Sequence, residues 1–566
     1  MCGISGIIGK SSSFDLNIQQ MIDAQTHRGP DFQTIYADID KGVYFGHNRL
    51  SIIDLHAHSN QPFHSPDKQY SIVFNGEIYN YLELKKQLET HYNFSTHSDT
   101  EVLLAAYIVW GEKCLDKLTG MFAFAVWDHR SETLFAARDR FGVKPFHYYI
   151  DHDKFIFASE IKALWASGLV DKKMDSATWA SYMGYAVYST IDRTFWQDVH
   201  QLPGGHYLKV QAGKLEIKKW YNFVDNVSNI VLPGSFDEAK EHARALLINS
   251  IKIRLRSDVN VGFNLSGGID SSLLFTLIRG QLNADSTKAF TFYSDDENYD
   301  EVEWVKQIIG NSGFNWEKCL VTADGIPQYA KFMQHHQDEP YAGIAALAYG
   351  KVFQHAKAAN YTVLLDGGGM DEQVAGYDYY TNDSSSLIQG TTSSPVRKHC
   401  LVPEFLQMGS KPKFGKPFND KVKDLQYRDT FYTKLPRDLR FNDRMSMAYS
   451  TELREPFLDH NLFEYLFALP LEYKIQAQKK KFIIREILKE KLTSSVTEAP
   501  KRPIQTPQRE WLSHELKDWV ASMAETACAK HDFLIKKEVD KELELYFSGN
   551  NENSFYIWQW ITLGLI

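Results

Sequence analysis

The chain has 566 residues, 43% of them apolar and 23% charged, with a formal net charge of −9; at about 100–200 residues per domain this predicts at least two large globular domains. An acidic balance argues against nucleic acid as the main partner, which would need a basic face. Five dispersed cysteines (Cys2, Cys114, Cys319, Cys400, Cys528) form neither a disulfide framework nor a zinc-binding C-x-x-C pair. With no secretory leader pattern and no run near the roughly 20 apolar residues of a membrane helix, a reduced cytoplasmic protein is expected.

Residues 1 to about 210 read as short strands separated by turns: Gly3–Ile8, Gly42–Phe45, Ile72–Phe74, Ala123–Trp127, Leu134–Arg138 and Phe155–Ala158. Two helical stretches interrupt them, Leu82–Thr90 and Glu101–Trp110, the second after Ser98-Asp99-Thr100, good capping chemistry. Strands and helices in blocks suggest an α+β sandwich. Asp225–Gly234 reads as a crossing into a second domain, so the expected domains are 1–215 and 235–566.

Helical periodicity starts at Phe236–Ile253. Val259–Leu265 then reads as a strand, followed by a Gly-Gly turn and a helix over Ser271–Leu282. Lys288–Tyr293 and Thr362–Leu365 are further apolar strands with helices between them, which implies a parallel sheet. Residues from about 420 onward are mostly helical, and the Ser/Thr-rich stretch Thr381–Ser394 reads as a mobile loop.

The opening Met1-Cys2-Gly3-Ile4 carries a chemical possibility. Removal of Met1 leaves an α-amine, with an ordinary pKa of about 7.7–8, on the same residue as a thiol, giving a nucleophile with its own base. A glutaminase also needs an oxyanion hole from an amide side chain and a bare N–H, a cation for the substrate carboxylate and an anion for its ammonium. Asn75 and Gly76 (in Val73-Phe74-Asn75-Gly76-Glu77), Arg49 and Asp99 match these in type, though each alone also reads as turn or capping chemistry. With His27-Arg28-Gly29-Pro30-Asp31, Met121-Phe122-Ala123-Phe124-Ala125, Arg138-Asp139-Arg140-Phe141-Gly142 and Ala158-Ser159-Glu160-Ile161, the run from Cys2 to about Gly205 resembles the N-terminal-nucleophile glutaminase domain of class II amidotransferases. The resemblance implies a four-layer αββα sandwich, Cys2 as nucleophile with its amine as base, and Asn75 and Gly76 as oxyanion hole. It also implies that Arg49, Asn75, Glu77 and Asp99 hold glutamine.

In the second half, Leu265-Ser266-Gly267-Gly268-Ile269-Asp270-Ser271-Ser272 lies between a strand and a helix. The glycines let the backbone approach a phosphate, helix-opening N–H groups point at it, and Asp270 suits Mg²⁺. This is not a Walker A loop: the only candidate ending, Gly9-Lys10-Ser11, has Ile4 where the upstream glycine belongs. The string resembles the pyrophosphate loop of ATP pyrophosphatases. With Asp366-Gly367-Gly368-Gly369-Met370-Asp371-Glu372 at a strand's carboxyl end, Arg444-Met445-Ser446-Met447, Thr451-Glu452-Leu453-Arg454-Glu455-Pro456-Phe457-Leu458-Asp459 and Lys479-Lys480-Lys481-Phe482, it is similar to the synthetase domain of the glutamine-hydrolysing asparagine synthetase B family. That resemblance implies ATP binding by Leu265, Ser266, Gly267, Gly268, Asp270, Ser271, Phe292, Asp366 and Gly367, with Leu265, Phe292 and Gly367 flanking adenosine. It implies Mg²⁺ on Asp270 and Asp371, and Lys481, with Arg485, steadying the departing pyrophosphate. Ammonia from glutamine would then amidate aspartate through a β-aspartyl-adenylate, giving asparagine, glutamate, AMP and pyrophosphate; members of that family are often homodimers, which the sequence itself does not show.

The pattern departs from the family at Gly368, where relatives carry glutamate or glutamine. Either another group takes over there, or the acceptor is a different carboxylate, such as a sugar uronic acid or a peptide side chain. A reading from another class is a non-catalytic scaffold or regulatory homologue.

Overall fold

In the computed structural model, residues 1–10, 14–188, 191–282, 286–310, 313–380, 394–492, 494–498 and 506–566 are described. Period-two runs of Ile, Val, Phe and Ala in the first half build two six-stranded antiparallel sheets. One has the order His200–Gln201, His147–Ile150, Lys154–Ala158, Gly3–Gly9, Val43–Arg49, Phe32–Asp38. The other has the order Lys214–Lys219, His206–Gln211, Thr133–Arg138, Gly120–Asp128, Tyr70–Ile78, Phe63–His64. Alternation sends Ile4, Val43, Phe45 and Phe157 of the first sheet and Val73, Ala123 and Ala125 of the second into one buried layer between them. The opposite-parity residues Ile72, Phe74, Phe122 and Phe124 face helices Tyr81–Leu88 and Asp99–Trp110. Helices Phe14–Ala24 and Ile161–Ala166 cover the outer face of the first sheet. The sandwich is therefore helix, sheet, sheet, helix, as the resemblance implies. Ser98 caps its helix as expected, its hydroxyl accepting the Thr100 N–H at 3.0 Å.

Two features differ from expectation. Phe14–Ala24 and Ser176–Tyr185 are additional helices; the first buries Phe14, Ile18, Met21 and Ile22, a helical stripe in a segment that also carries polar residues. The crossing between domains is also shorter than Asp225–Gly234, because Phe223–Ser228 forms one more helical turn and a half. Burial drives this: the Phe223 ring packs on Phe431, Phe463 and Phe467 of the second half.

Helix Phe236–Arg254, capped by Ser235, leads into a five-stranded parallel sheet with the order Trp316–Val321, Lys288–Ser294, Val261–Asn264, Val363–Leu365, Glu452–Arg454. Most of the rest is helical, apart from a small hairpin of Ile475–Gln476 and Lys479–Lys480. The expected loop over 381–394 lies outside the described residues except for Ser394. No helix among the described residues is long and apolar enough to cross a membrane.

The two halves join through buried charge. Arg28, completely buried, donates to Glu160 at 2.8 Å within its own half and to both oxygens of Asp443 at 2.9 and 3.1 Å in the other. Arg444 donates to the Ser159 carbonyl at 3.0 Å, and Lys162 pairs with Asp338 at 3.2 Å. Desolvated ions of this kind persist only when fully paired, so they fix how the halves dock.

Candidate active sites

The first site lies where strand Gly3–Gly9 begins. Cys2 is buried, and its backbone N–H donates to Asn75 Oδ1 at 3.0 Å. Its sulfur lies 4.0 Å from the Leu50 carbonyl oxygen, and Arg28 donates to its own carbonyl at 3.1 Å. Burial pushes the thiol's pKa up; the nearby chain terminus and Arg49 pull it back. Asn75 is completely buried, and its amide nitrogen Nδ2 has no hydrogen-bond partner. An orphaned donor in a buried position beside a thiol is of the kind an oxyanion would require. Gly76 follows with φ +150°, and a Cβ there would lie 2.1 Å from the Met121 carbonyl oxygen on the paired strand, so only glycine fits.

Arg49 is buried and donates to the His56 carbonyl at 2.8 Å, to Asn60 Oδ1 at 2.6 Å and to the Asp54 carbonyl. These acceptors are neutral, so they hold the guanidinium without cancelling its charge. Glu77 and Asp99 are buried as well. Asp99 Oδ2 accepts the Ile78 N–H at 2.9 Å, while burial pushes its carboxyl up to about 6. Glu77 is raised too, by burial and then by the Asp99 charge. Both face Glu452 and Arg454 of the second half: Arg454 pairs with Glu452 at 2.6 Å and reaches Glu77 at 3.5 Å. The Met1 ammonium, itself buried, closes the set on Glu452 at 3.0 Å. Glu452 and Arg454 stand in a motif to which the sequence alone assigns no role; their Glu-Leu-Arg alternation, two charges on one face of a strand, is the available signal.

The second site lies at the carboxyl end of the parallel sheet, where ligands bind in such folds. Ser266, Gly267 and Gly268 link strand Val261–Asn264 to helix Ile269–Gln281. Ser266 Oγ and Ser271 Oγ are 2.9 Å apart, and the Gly268 N–H donates to Ser266 Oγ at 3.2 Å, closing the loop on itself. The Gly267 N–H donates to the Glu301 carboxylate at 3.0 Å, so this amide already faces an anion. Leu265 bonds through its N–H to the Phe290 carbonyl at 2.9 Å, and Phe292 lies farther along that neighbouring strand. Gly367 lies beside the loop: a Cβ there would come within 3.0 Å of Asp270 Cβ. The glycine thus lets the two acidic motifs close up.

Lys481 holds that closure. It sits at φ +56° after the hairpin, and its ammonium lies 2.5 Å from Asp270 Oδ2 and 2.7 Å from Asp371 Oδ1. Both carboxylates raise its pKa further above the lysine range. Gly376 makes room, since a Cβ there would lie 1.8 Å from Asp371 Oδ1 and 2.6 Å from Lys481 Cε. Asp366 turns away from them, accepting from Asn264 at 3.0 Å and from the Tyr349 hydroxyl at 2.7 Å. Arg485 donates to the carbonyls of Lys480 and Thr497 at 2.8 and 2.7 Å. The structure thus brings Cys2 to Asn75, and Asp270, Gly367, Asp371 and Lys481 to one another, while Asp366 and Arg485 make their hydrogen bonds elsewhere.

Residues 1–221 match the glutamine amidotransferase domain, and residues 242–565 match asparagine synthase. A thiol-bearing sandwich joined to a nucleotide-type parallel sheet is, on these matches, an ATP-dependent glutamine-hydrolysing ligase, which sets aside the scaffold reading. The chain belongs to the asparagine synthase family. It is 31% identical to asparagine synthetase [glutamine-hydrolyzing] 1 of Bacillus subtilis, over 99% of this chain and 95% of that one. Asparagine synthetase [glutamine-hydrolyzing] 3 of the same organism is 29% identical over 96% and 93%. Amidase chyE of Penicillium rubens is 26% identical over 90% of this chain and 89% of its own.

Proposed function

We propose that the chain makes asparagine from aspartate, using ammonia freed from glutamine and an aspartyl-adenylate formed from ATP. The observation that carries this is the pairing of two built sites on one docked frame: Cys2 against the orphaned Asn75 amide, and Lys481 between Asp270 and Asp371 beside the glycine loop. The names of the Bacillus relatives agree with it.

In the first site, loss of Met1 turns the Cys2 nitrogen into the α-amine. Asn75 Oδ1 already holds that nitrogen at 3.0 Å, orienting it as the base for the thiol. The thiolate attacks the glutamine amide carbon, Asn75 Nδ2 donates to the oxyanion, and ammonia leaves; water then clears the thioester. Arg49 takes the substrate carboxylate, and Glu77 with Asp99 takes its ammonium.

In the second site, the loop amides and serine hydroxyls cradle phosphate. Lys481 offsets charge on the departing pyrophosphate. Two carboxylates already arranged around one cation suit Mg²⁺, which takes one or two carboxylates plus phosphate oxygens; bound by Asp270 and Asp371 it would supply further charge neutralisation.

A mixture of the protein with glutamine, ATP, Mg²⁺ and aspartate should yield asparagine, glutamate and AMP in equal amounts. ADP in place of AMP would contradict the adenylate. AMP appearing only with another carboxylic acid would move the acceptor to the second reading, which Gly368 and the amidase relative favour.

Asp99 gives a pH test. Its carboxyl, raised to about 6, carries its full charge only above that pH. The KM for glutamine should therefore fall several-fold as pH rises from 5 to 7.5. Asp99→Asn should flatten that limb and raise KM by roughly 10–100-fold, the scale of one charge-assisted hydrogen bond. A KM that ignores pH in the wild type would remove Asp99 from the ammonium pocket.

A further inference from the structure

One buried carboxylate in the second half has no role in the chemistry above. Glu455 follows directly on strand Glu452–Arg454, at the carboxyl end of the sheet, and is 4% exposed. Among the described residues, neither of its side-chain oxygens meets a donor at good hydrogen-bond geometry, although Asn442 and the Gly368 amide approach it. A buried carboxyl held this weakly is costly and persists where a ligand or a reaction uses it.

Its position is specific. A Cβ built on Gly368 would meet Glu455 Oε2 at 2.7 Å, Cδ at 3.1 Å and Oε1 at 3.3 Å as its three nearest neighbours. The Glu455 carboxylate thus fills the space that a side chain at 368 would enter. Gly368 is not among the positive-φ residues, so its backbone would accept a side chain. Register ties the two segments, because the Asp366 N–H donates to the Arg454 carbonyl at 2.9 Å. The loop 366–369 and Glu455 are therefore opposite walls of one corner, next to the loop that carries Asp270.

We propose that Glu455 is the carboxylate of nitrogen transfer, supplied from the Glu452–Arg454 strand to the corner that Gly368 leaves open. This rests on the synthetase reading above. As ammonia attacks the acyl carbon of the adenylate, a C–N bond forms. The bond from that carbon to the AMP phosphate oxygen breaks, and AMP leaves with the electron pair. The nitrogen must then shed one proton, and Glu455 takes it. The surroundings suit this: burial and the Asp366 charge push the carboxyl up to about 8, while Asn442, Lys144 and the Gly368 amide favour its ionised form. Glu455 also joins the two sites through one short strand, since Glu452 and Arg454 at its other positions face the glutaminase pocket.

The test separates the half-reactions. With aspartate, ATP and Mg²⁺, Glu455→Gln should keep aspartate-dependent pyrophosphate exchange within about 3-fold of wild type. It should lose asparagine formation from ammonium chloride by at least about 100-fold, the scale of a general base. Glutaminase activity, measured on the same sample, reports that the variant is folded. The second variant moves the carboxylate back across the corner: Glu455→Val with Gly368→Glu should recover at least about 10-fold over Glu455→Val alone, a gain carried by proton transfer. Full asparagine formation by Glu455→Gln, or exchange and synthesis falling together, would overturn the assignment to Glu455; so would a double variant as inactive as Glu455→Val. Wild-type protein that gives no exchange and no AMP with aspartate would instead overturn the aspartate reading, and this inference with it.

Discussion

Cys2→Ala should cut glutamine-dependent synthesis by at least about 10³-fold, in line with losses on removing a nucleophile, and leave ammonium-dependent synthesis within a few-fold of wild type. Among the described residues the sulfur's hydrogen-bond contact is the long one to the Leu50 carbonyl at 4.0 Å, so its loss breaks no strong polar contact. The backbone contacts that place residue 2, to Asn75 and from Arg28, do not involve the side chain. The second site lies in the other half of the chain and keeps every residue. Asn75→Ala should be milder, at roughly 10²–10³-fold in glutaminase kcat, because it removes one oxyanion donor and leaves the nucleophile. Paired assays with glutamine and with ammonium chloride decide it. Loss of both activities in a folded Cys2→Ala protein would mean that the thiol serves the synthetase, and the division of labour would fail.

Much of this could be read from the chain because the signals were local. Short apolar strands and helices in blocks indicate an α+β sandwich, the family resemblance supplies its four layers, and Ser98 marks its helix. The Ser266–Ser272 string declared a strand–loop–helix turn by its glycines and serines alone. What could not be read depended on contacts between distant segments. Arg28 stands in a short motif, His27–Asp31, to which sequence assigns no separate role; its role appears only when Asp443 arrives from the other half. Gly376 looked unremarkable until Asp371 and Lys481 were placed against it. Gly368 looked like a defect in an otherwise familiar motif. Its meaning lies in Glu455, a residue of another strand that no spacing rule connects to it.

The Glu452–Arg454 strand also clarifies why the two chemistries share one chain. Its residues alternate between environments, as any strand's must. Glu452 and Arg454 face the buried acids Glu77 and Asp99 of the first half, and the strand's exit delivers Glu455 to the carboxyl end of the sheet. A shift of this strand would be felt in both sites at once.

Asp270→Asn should abolish the adenylating half-reaction, with a loss of at least about 10²-fold in pyrophosphate exchange, as for other electrostatic groups at a reacting centre, while glutaminase activity persists. Lys481 is held by two carboxylates, at 2.5 and 2.7 Å. Neutralising Asp270 removes the shorter of these contacts and one of the two charges that a phosphate-bound cation would use. The remaining Asp371 cannot centre the ammonium over the glycine loop alone. Asp371→Asn should therefore resemble it, and the double variant should be little worse than either single one, because residues acting as a unit lose their effect together. Losses that multiply would mean that the two carboxylates work independently. A folded Asp270→Asn protein without glutaminase activity would mean that the sites cannot be separated in the way their geometry indicates.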